Sequence, residues 1–80
     1  MEWARIVGAN VRRLRKQRGL TQERLALDAA IDLTYLGGIE RGRRNPSIVV
    51  LGRLADVLNV HPRDLFDDQP AEEPRSTTSA

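Results

Sequence analysis

The chain is short, lacks cysteine and is unevenly charged. Its 80 residues, 40% of them apolar, can close one small core but not two. With no cysteine and a single histidine, neither a disulfide framework nor a Cys/His metal site is expected. No apolar stretch approaches the ~20 residues that span a bilayer, and the first residues lack the apolar block of a signal peptide. We therefore expect a cytoplasmic protein that does not enter a membrane.

The net charge of +2 conceals a division between two parts of the chain. Residues 1–53 hold 11 Lys and Arg against 5 acids, a balance of +6. Residues 54–80 hold 2 Lys and Arg against 6 acids, a balance of −4. Such an asymmetry is expected when the basic part of a chain faces a polyanion and the acidic part faces away.

The first predicted helix runs from about Trp3 to Gln17. Its apolar residues Val7, Val11 and Leu14 recur at spacings of three and four, and Gly19 ends it. This helix also carries a basic cluster, which by itself is as often a solvated face as a binding surface: Arg12, Arg13, Arg15, Lys16 and Arg18.

Residues 20–47, LTQERLALDAAIDLTYLGGIERGRRNPS, predict two further short helices with a tight turn between them. Thr21 and Asp32 can each cap a helix N-terminus by accepting from free backbone N–H groups. Apolar residues line one side of both helices at spacings of three and four: Leu25, Ala26, Ala29, Ile31, Leu36 and Ile39. This pattern indicates a helix-turn-helix, whose second helix can enter a DNA major groove. A second basic cluster follows that helix directly and favours DNA over a merely solvated charge run: Arg41, Arg43 and Arg44.

Two more helices are predicted before an acidic and polar tail. Ser47, just after Pro46, is the predicted N-cap of the fourth helix, which carries toward the core Ile48, Leu51, Leu54, Ala55 and Leu58. The His61-Pro62 pair begins a short fifth helix, with Leu65 and Phe66 facing inward. We therefore predict an all-α, compact five-helix domain over residues 1–66. A disordered tail is predicted over 67–80, where almost no apolar residue occurs.

The fourth and fifth helices hold more apolar residues than one face needs. We assign the surplus to a homodimer interface: Val49, Val50, Val57 and Val60. The alternative is that these valines complete the core of a small monomer.

The two-helix run closely resembles the lambda and Cro repressors, the XRE family, over roughly residues 7–66. The run TYLGGIERG and the Arg44-Asn45 step after it are also similar to the controller proteins of restriction-modification systems. The resemblance implies a lambda-repressor-like fold and a regulator that binds double-stranded DNA as a homodimer on two half-sites. The chain departs from the family at the turn, where glycine is usual and Ala30 stands here. An alanine at positive φ costs roughly 1 kcal/mol relative to glycine.

The resemblance also implies which residues meet DNA. Gln22, at the start of the second helix, is expected to contact a phosphate, with a solvated side chain as the alternative. Tyr35 is expected to donate its hydroxyl to a phosphate, although it can also serve as a core aromatic. The outward face of the third helix and the following loop supply the remaining candidates: Leu33, Thr34, Gly37, Gly38, Arg41, Arg43, Arg44 and Asn45.

The third helix offers few side chains that read bases. Leu33 can make only apolar contacts, and Thr34 adds one hydroxyl, so direct readout should be modest and favour thymine. Gly37 and Gly38 either are held in the helix by packing or let its backbone approach DNA, and both explanations remain open.

In these repressors an arginine on the first helix pairs with a glutamate at the end of the third. Arg15 and Glu40 match those positions, and Glu40 lies one turn beyond Leu36 on the inward face. We expect a buried ion pair, with two uncoupled exposed charges as the alternative.

Catalysis is not expected from this sequence. The only histidine, His61, precedes a proline where it would act as a helix cap, and no Ser or Lys has a plausible catalytic partner. No cofactor or small-molecule ligand is indicated. The alternative function is an antitoxin-type or other protein-interaction module, although the tail lacks apolar residues that could anchor a partner.

Overall fold

The computed structural model describes residues 2–68, and these form four α-helices and one 3₁₀ helix. The elements are α1 (Trp3–Gln17), α2 (Gln22–Ala29), α3 (Leu33–Glu40), α4 (Ile48–Leu58) and the 3₁₀ helix (Pro62–Phe66). The all-α class is confirmed for this part of the chain, but the count of five α-helices is wrong. The last element has only five residues, and its Asp64 N–H donates to the His61 carbonyl, the i to i+3 pattern of a 3₁₀ turn. The predicted tail lies, from residue 69 onward, outside the described residues.

Local hydrogen bonds begin α2, α3 and α4 at the predicted caps. Thr21 Oγ1 accepts from the Arg24 N–H at 3.0 Å, and Asp32 Oδ2 accepts from the Tyr35 N–H at 3.1 Å. Ser47 Oγ accepts from the Val50 N–H at 3.1 Å. Each such cap stabilises its helix by typically ~1 kcal/mol.

His61 caps the 3₁₀ helix, as expected. Its ring Nδ1 accepts from the Arg63 N–H at 3.0 Å, while its own backbone N–H donates to the Asp64 carboxylate at 3.1 Å. These two reciprocal hydrogen bonds give the single histidine a structural role as a helix cap.

The turn between α2 and α3 is tight because Ala30 adopts the left-handed conformation, with φ 57° and ψ 47°. The Ala30 N–H donates to the Leu27 carbonyl, and the Ile31 N–H donates to the Ala26 carbonyl. The chain therefore passes from α2 to α3 within three residues, and the strain expected of an alanine at this position is present.

Apolar side chains from all five elements form one core. The buried set is Val7, Val11, Leu14, Leu25, Ala26, Ala29, Leu36, Ile39, Leu51, Leu54, Ala55, Leu58 and Leu65. It contains the predicted stripes of α1, α2 and α3, with Ile31 packed at its edge.

Two residues predicted to face the core lie at the surface instead. Ile48 is 85% exposed because it is the first residue of α4, where side chains lean toward the N-terminus and beyond the last layer of the core. Phe66 is 41% exposed. Neighbouring residues of a 3₁₀ helix point about 120° apart, so the full burial of Leu65 turns Phe66 outward. Phe66 instead packs edge-on against Trp3, with ring centroids 6.0 Å apart.

Two residues that the sequence did not single out fix α1 against its neighbours. A Cβ on Gly8 would collide with the backbone carbonyl of Ile39. Helices α1 and α3 therefore approach more closely than any residue other than glycine would permit at this position. Asn10 is buried, and its Nδ2 donates to the carbonyls of Leu65 and Asp67, each at 2.8 Å. Helix α1 thereby holds α3 on one side and the 3₁₀ helix on another.

Candidate nucleic-acid interface

The start of α3 is an exposed surface. Leu33 and Thr34, the first two residues after the Asp32 cap, are both exposed, while Leu36 and Ile39 anchor the helix in the core. This arrangement leaves the two predicted base-reading side chains free to meet a groove.

A buried ion pair fixes the end of α3 against α1, as predicted. Arg15 Nε donates to Glu40 Oε2 at 2.7 Å, and Arg15 Nη2 donates to Glu40 Oε1 at 3.1 Å. The remaining Arg15 nitrogen donates to the Leu20 carbonyl at 2.8 Å. The exposed side-chain fraction is only 10% for Arg15 and 2% for Glu40. Bidentate pairs of this kind are directional and strong, so the pair orients the two helices.

Gln22 belongs to the same network. Its Nε2 donates to Glu40 Oε1 at 2.9 Å, and the residue is partly buried. The side chain is therefore oriented by Glu40 and is not merely solvated. A phosphate contact would use the second amide N–H or the free backbone N–H groups in the first turn of α2.

Beside this network lies a cleft of about 550 Å³, here called the basic cleft, which is lined by Arg12, Arg15, Gln22, Glu40, Arg41 and Arg43. Glu40 neutralises Arg15, so the charges of Arg12, Arg41 and Arg43 make the cleft positive. The first turn of α2 begins at Gln22 and adds the partial positive charge of a helix N-terminus. A phosphate group suits this cleft by charge and by the number of N–H donors that surround it.

Arg12 was not among the predicted site residues. The sequence contained one signal, since Arg12 precedes Arg15 by three residues and therefore shares a face of α1 with it. Its position next to Arg41 and Arg43 depends on the packing of α1 against α3.

Gly37 and Gly38, for which two explanations stood open, do not form an open face of α3. Both are buried. A Cβ on Gly37 would lie 3.1 Å from Nη1 of Arg41, and one on Gly38 would lie 2.5 Å from Cγ of Arg44. The missing side chains make room for these two arginines, which favours packing as the reason for the glycines.

Arg44 is held from two directions. Its stem crosses Gly38, and its guanidinium carbon lies 5.7 Å from the centroid of the Tyr35 ring, a cation–π contact. Tyr35 itself is partly buried against the core, and its hydroxyl donates to the Asn45 carbonyl at 3.4 Å. That bond is long for a hydroxyl donor, so the hydroxyl remains available to a better acceptor.

Gly42 is a further residue that the sequence analysis missed. It has φ 76°, and the Arg43 N–H after it donates to the Gly38 carbonyl at 2.9 Å. A glycine directly beyond a helix is the usual signal for this ending. The turn directs Arg43, Arg44 and Asn45 away from the core, and all three are exposed.

The valines assigned to a dimer interface are not all free to make one. Val50, Val57 and Val60 are partly buried and pack against the core, which explains the surplus that had suggested an interface. Val49 alone of the four is largely exposed, at 62%.

Within residues 2–68, no helix is long and apolar enough to cross a membrane. In the same range, no group of three or more His, Asp and Glu side chains is arranged to hold a metal ion.

Comparison with known proteins identifies the family. A family model described as helix-turn-helix matches residues 11–65. The chain belongs to the helix-turn-helix family. This helix-turn-helix protein is 43% identical, over 60 residues, to the HTH-type transcriptional regulator y4dJ of Sinorhizobium fredii, covering 75% of this chain and 78% of y4dJ. It is 36% identical to the control protein C.BamHI of Bacillus amyloliquefaciens over 63 residues, 78% of each chain.

A solved structure supports the same family assignment. The restriction-modification controller protein C.AhdI from Aeromonas hydrophila superposes with a TM-score of 0.76 at 44% identity, covering 79% of this chain and 96% of the other. The resemblance to XRE-type regulators and to controller proteins that the sequence indicated is therefore confirmed.

Proposed function

We propose that this helix-turn-helix protein is a sequence-specific transcription regulator that binds double-stranded DNA as a homodimer on two half-sites. One observation carries the proposal. Arginines from separate parts of the chain, Arg12 on α1 and Arg41 and Arg43 beyond α3, converge beside the first turn of α2. Such a cluster, next to an exposed helix start, is what a phosphate backbone and an adjacent groove require.

In this proposal the contacts divide by role. The basic cleft binds backbone phosphates and sets the position of the domain on the duplex, without regard to sequence. Leu33 and Thr34 enter the major groove, where a leucine can pack on a thymine methyl and a threonine can add a hydroxyl bond. Arg44, oriented by Tyr35 and Gly38, reaches a phosphate or the guanine edge of a flanking base pair. No catalytic step is assigned, and His61 is engaged as a cap.

Selection of bound sequences from random duplex DNA tests the proposal. We expect two related half-sites about 10 base pairs apart, the spacing that places two α3 helices on one face of the duplex. Affinity should fall steeply between about 50 and 200 mM salt, because most contacts displace counterions from phosphates. Affinity that is independent of salt in this range would contradict the phosphate role of the cleft.

The role of α3 is tested separately with Thr34→Ala. On the selected duplex this change should weaken binding by roughly 1 to 3 kcal/mol at most, the value of one good base contact. On a scrambled duplex of the same length it should have little effect, since phosphate contacts remain. Equal losses on both duplexes would show that α3 does not read bases.

A further inference from the structure

The basic cleft adjoins two further clefts that lie along α1. The first, of about 330 Å³, lies beside Arg5 and Arg13, and the middle one, of about 390 Å³, lies beside Arg13 and Lys16. The middle cleft shares Arg13 with the first and Arg12 with the basic cleft, so the three form one continuous surface, here called the α1 channel. Apart from Arg15, which Glu40 neutralises, the basic side chains that line it are Arg5, Arg12, Arg13, Lys16, Arg41 and Arg43.

The last described residues of the chain lie at the far end of this channel. Asp67 and Asp68 line the first cleft, and Asp68 is the last residue that the structure describes. The Asp67 carbonyl accepts from Nδ2 of the buried Asn10 at 2.8 Å, so the backbone is fixed against α1 at this point. The chain therefore continues from a point inside the channel, at the end opposite to the basic cleft.

The middle cleft is basic, whereas the next segment of the chain is acidic. Within the described part of the chain, Arg13 and Lys16 form no salt bridge. Glu40, the acid that lines this cleft, is already paired with Arg15. Arg13 also has a buried Nε that lacks a hydrogen-bond partner among the described residues. Residues 69–73, QPAEE, hold two adjacent carboxylates and no base, so their charge is complementary to that of the cleft.

The length of this segment is sufficient for contact with the middle cleft. An extended chain advances ~3.3–3.6 Å per residue, so Glu72 and Glu73 can lie as far as roughly 13–18 Å from Asp68. Helix α1 advances ~1.5 Å per residue, which places Lys16 only about 5 Å further along its axis than Arg13. Since Asp68 and Arg13 line the same cleft, both glutamates can reach the middle cleft without full extension.

We propose that residues 69–73 bind in the middle cleft of their own chain, with the two glutamates against Arg13 and Lys16, and compete there with DNA. Single pairs of exposed charges are weak, but a short tether holds the segment at a millimolar effective concentration beside its cleft. The middle cleft shares an arginine with the basic cleft, so a bound phosphate backbone must displace the glutamates. The competition rests on the proposed function, whereas the docking of the segment does not.

Cross-linking tests the docking directly, because Lys16 is the only lysine of the chain. A carbodiimide joins an amine to a carboxylate in contact with it and adds no spacer. We expect a link from Lys16 to Glu72 or Glu73, identified by mass spectrometry of the peptides, and we expect an excess of duplex DNA to suppress it. A Lys16 link to Asp67 or Asp68 alone, or no link at all, would overturn the docking.

A mixture of isotopically labelled and unlabelled protein shows whether the link lies within one chain. Links within a chain join peptides of the same label, whereas links between copies join peptides of different labels in about half of the cases if copies pair at random. We expect only links of one label. Mixed-label links at the random frequency would mean that the segment binds a second copy and not its own chain.

DNA affinity tests the competition. Glu72→Gln combined with Glu73→Gln removes the charge without shortening the chain. We expect this double variant to bind duplex DNA roughly three- to ten-fold more tightly at about 50 mM salt, with a smaller gain near 200 mM because salt screens the pairs. Glu2→Gln combined with Asp56→Asn removes two charges from exposed positions outside the channel and is the matched control. An equal gain from this control would show that only overall charge matters.

The cleft side of the contact is tested with Lys16→Gln. In this background the two glutamate substitutions should raise DNA affinity less than in the unmodified chain, because one of their partners is absent. Arg18→Gln removes an exposed cation at the end of α1 that does not line the channel, and in this background the gain should be intact. Equal gains in both backgrounds would contradict the assignment of Lys16.

These outcomes separate the inference from the proposed function. If the chain binds DNA, but Lys16 links to neither glutamate and the double variant binds no more tightly, the inference is wrong while the regulator stands. If the link forms and the double variant gains no affinity, the segment docks but does not compete with DNA. If the link forms and no duplex is bound by either chain, the docking stands and the proposed function is wrong.

Discussion

A Cβ on Gly38 would lie 2.5 Å from Cγ of Arg44, closer than two carbons can approach without one of them moving. Gly38 therefore decides where the Arg44 side chain lies, although it is buried and has no side chain of its own. The same placement lets the Arg44 guanidinium rest over Tyr35.

The first prediction follows from this contact. Gly38→Ala should displace Arg44 and weaken DNA binding. Stability should change little, because the gain of about 1 kcal/mol for alanine over glycine in a helix is offset by the cost of moving Arg44. A double-mutant cycle with Arg44→Ala provides the control. In the Arg44→Ala background the added methyl should change DNA affinity no further. Equal losses in both backgrounds would mean that Gly38 acts on DNA by a route other than Arg44.

The second prediction concerns the buried pair of Arg15 and Glu40. Glu40→Ala should lower the free energy of unfolding by about 3 to 5 kcal/mol, because Arg15 remains buried without its carboxylate. Urea unfolding followed by circular dichroism measures the change.

The exposed pair of Arg24 and Asp28, with atoms 3.0 Å apart on α2, is the matched control. Asp28→Ala should cost no more than about 0.5 kcal/mol, since an exposed i,i+4 pair contributes little. A loss under about 1 kcal/mol for Glu40→Ala, the range of exposed pairs, would show that the pair is not effectively buried.

The third prediction concerns the turn of the helix-turn-helix. Ala30 has φ 57°, so Ala30→Gly should raise the free energy of unfolding by about 1 kcal/mol by relieving strain. Asn59 has a nearly identical φ of 58° at the end of α4. Asparagine tolerates this conformation better than alanine, so Asn59→Gly should gain less. Thermal unfolding of the two variants gives the comparison, and a destabilised Ala30→Gly would contradict the strain argument.

The fourth prediction concerns Arg12 and the basic cleft. Arg12→Ala should weaken binding to selected and scrambled duplexes alike, because a phosphate contact carries no sequence information. The slope of log affinity against log salt should decrease by about one unit. Arg18→Ala, an equal loss of charge at the C-terminal end of the same helix but outside the cleft, should change both quantities less. Identical effects from the two substitutions would show that Arg12 acts only through the overall charge of the protein and does not contact a phosphate in the basic cleft.

Features that depend on a few neighbouring residues were determined by the sequence alone. Thr21, Asp32 and Ser47 were predicted as caps and act as caps, because an N-cap bond joins residues three apart and needs no distant partner. Leu25, Leu36 and Leu54 were predicted to be buried on the same local basis, since helical spacing decides which residues share a face. The pairing of Arg15 with Glu40 came from the family resemblance, although spacing had already placed Glu40 on the inward face, one turn beyond Leu36.

Only the tertiary structure decided which side chains pack against each face of a helix. Gly37 and Gly38 lie on the predicted helix, yet the side chains of Arg41 and Arg44 fill the space beside them. Ile48 keeps to the apolar pattern of α4 but stands beyond the end of the core. Arg12 and Arg43, about thirty residues apart in the chain, line the same cleft because α1 and α3 cross closely at Gly8. A periodic pattern specifies the direction of a side chain relative to its own helix, whereas its neighbours depend on how the helices pack.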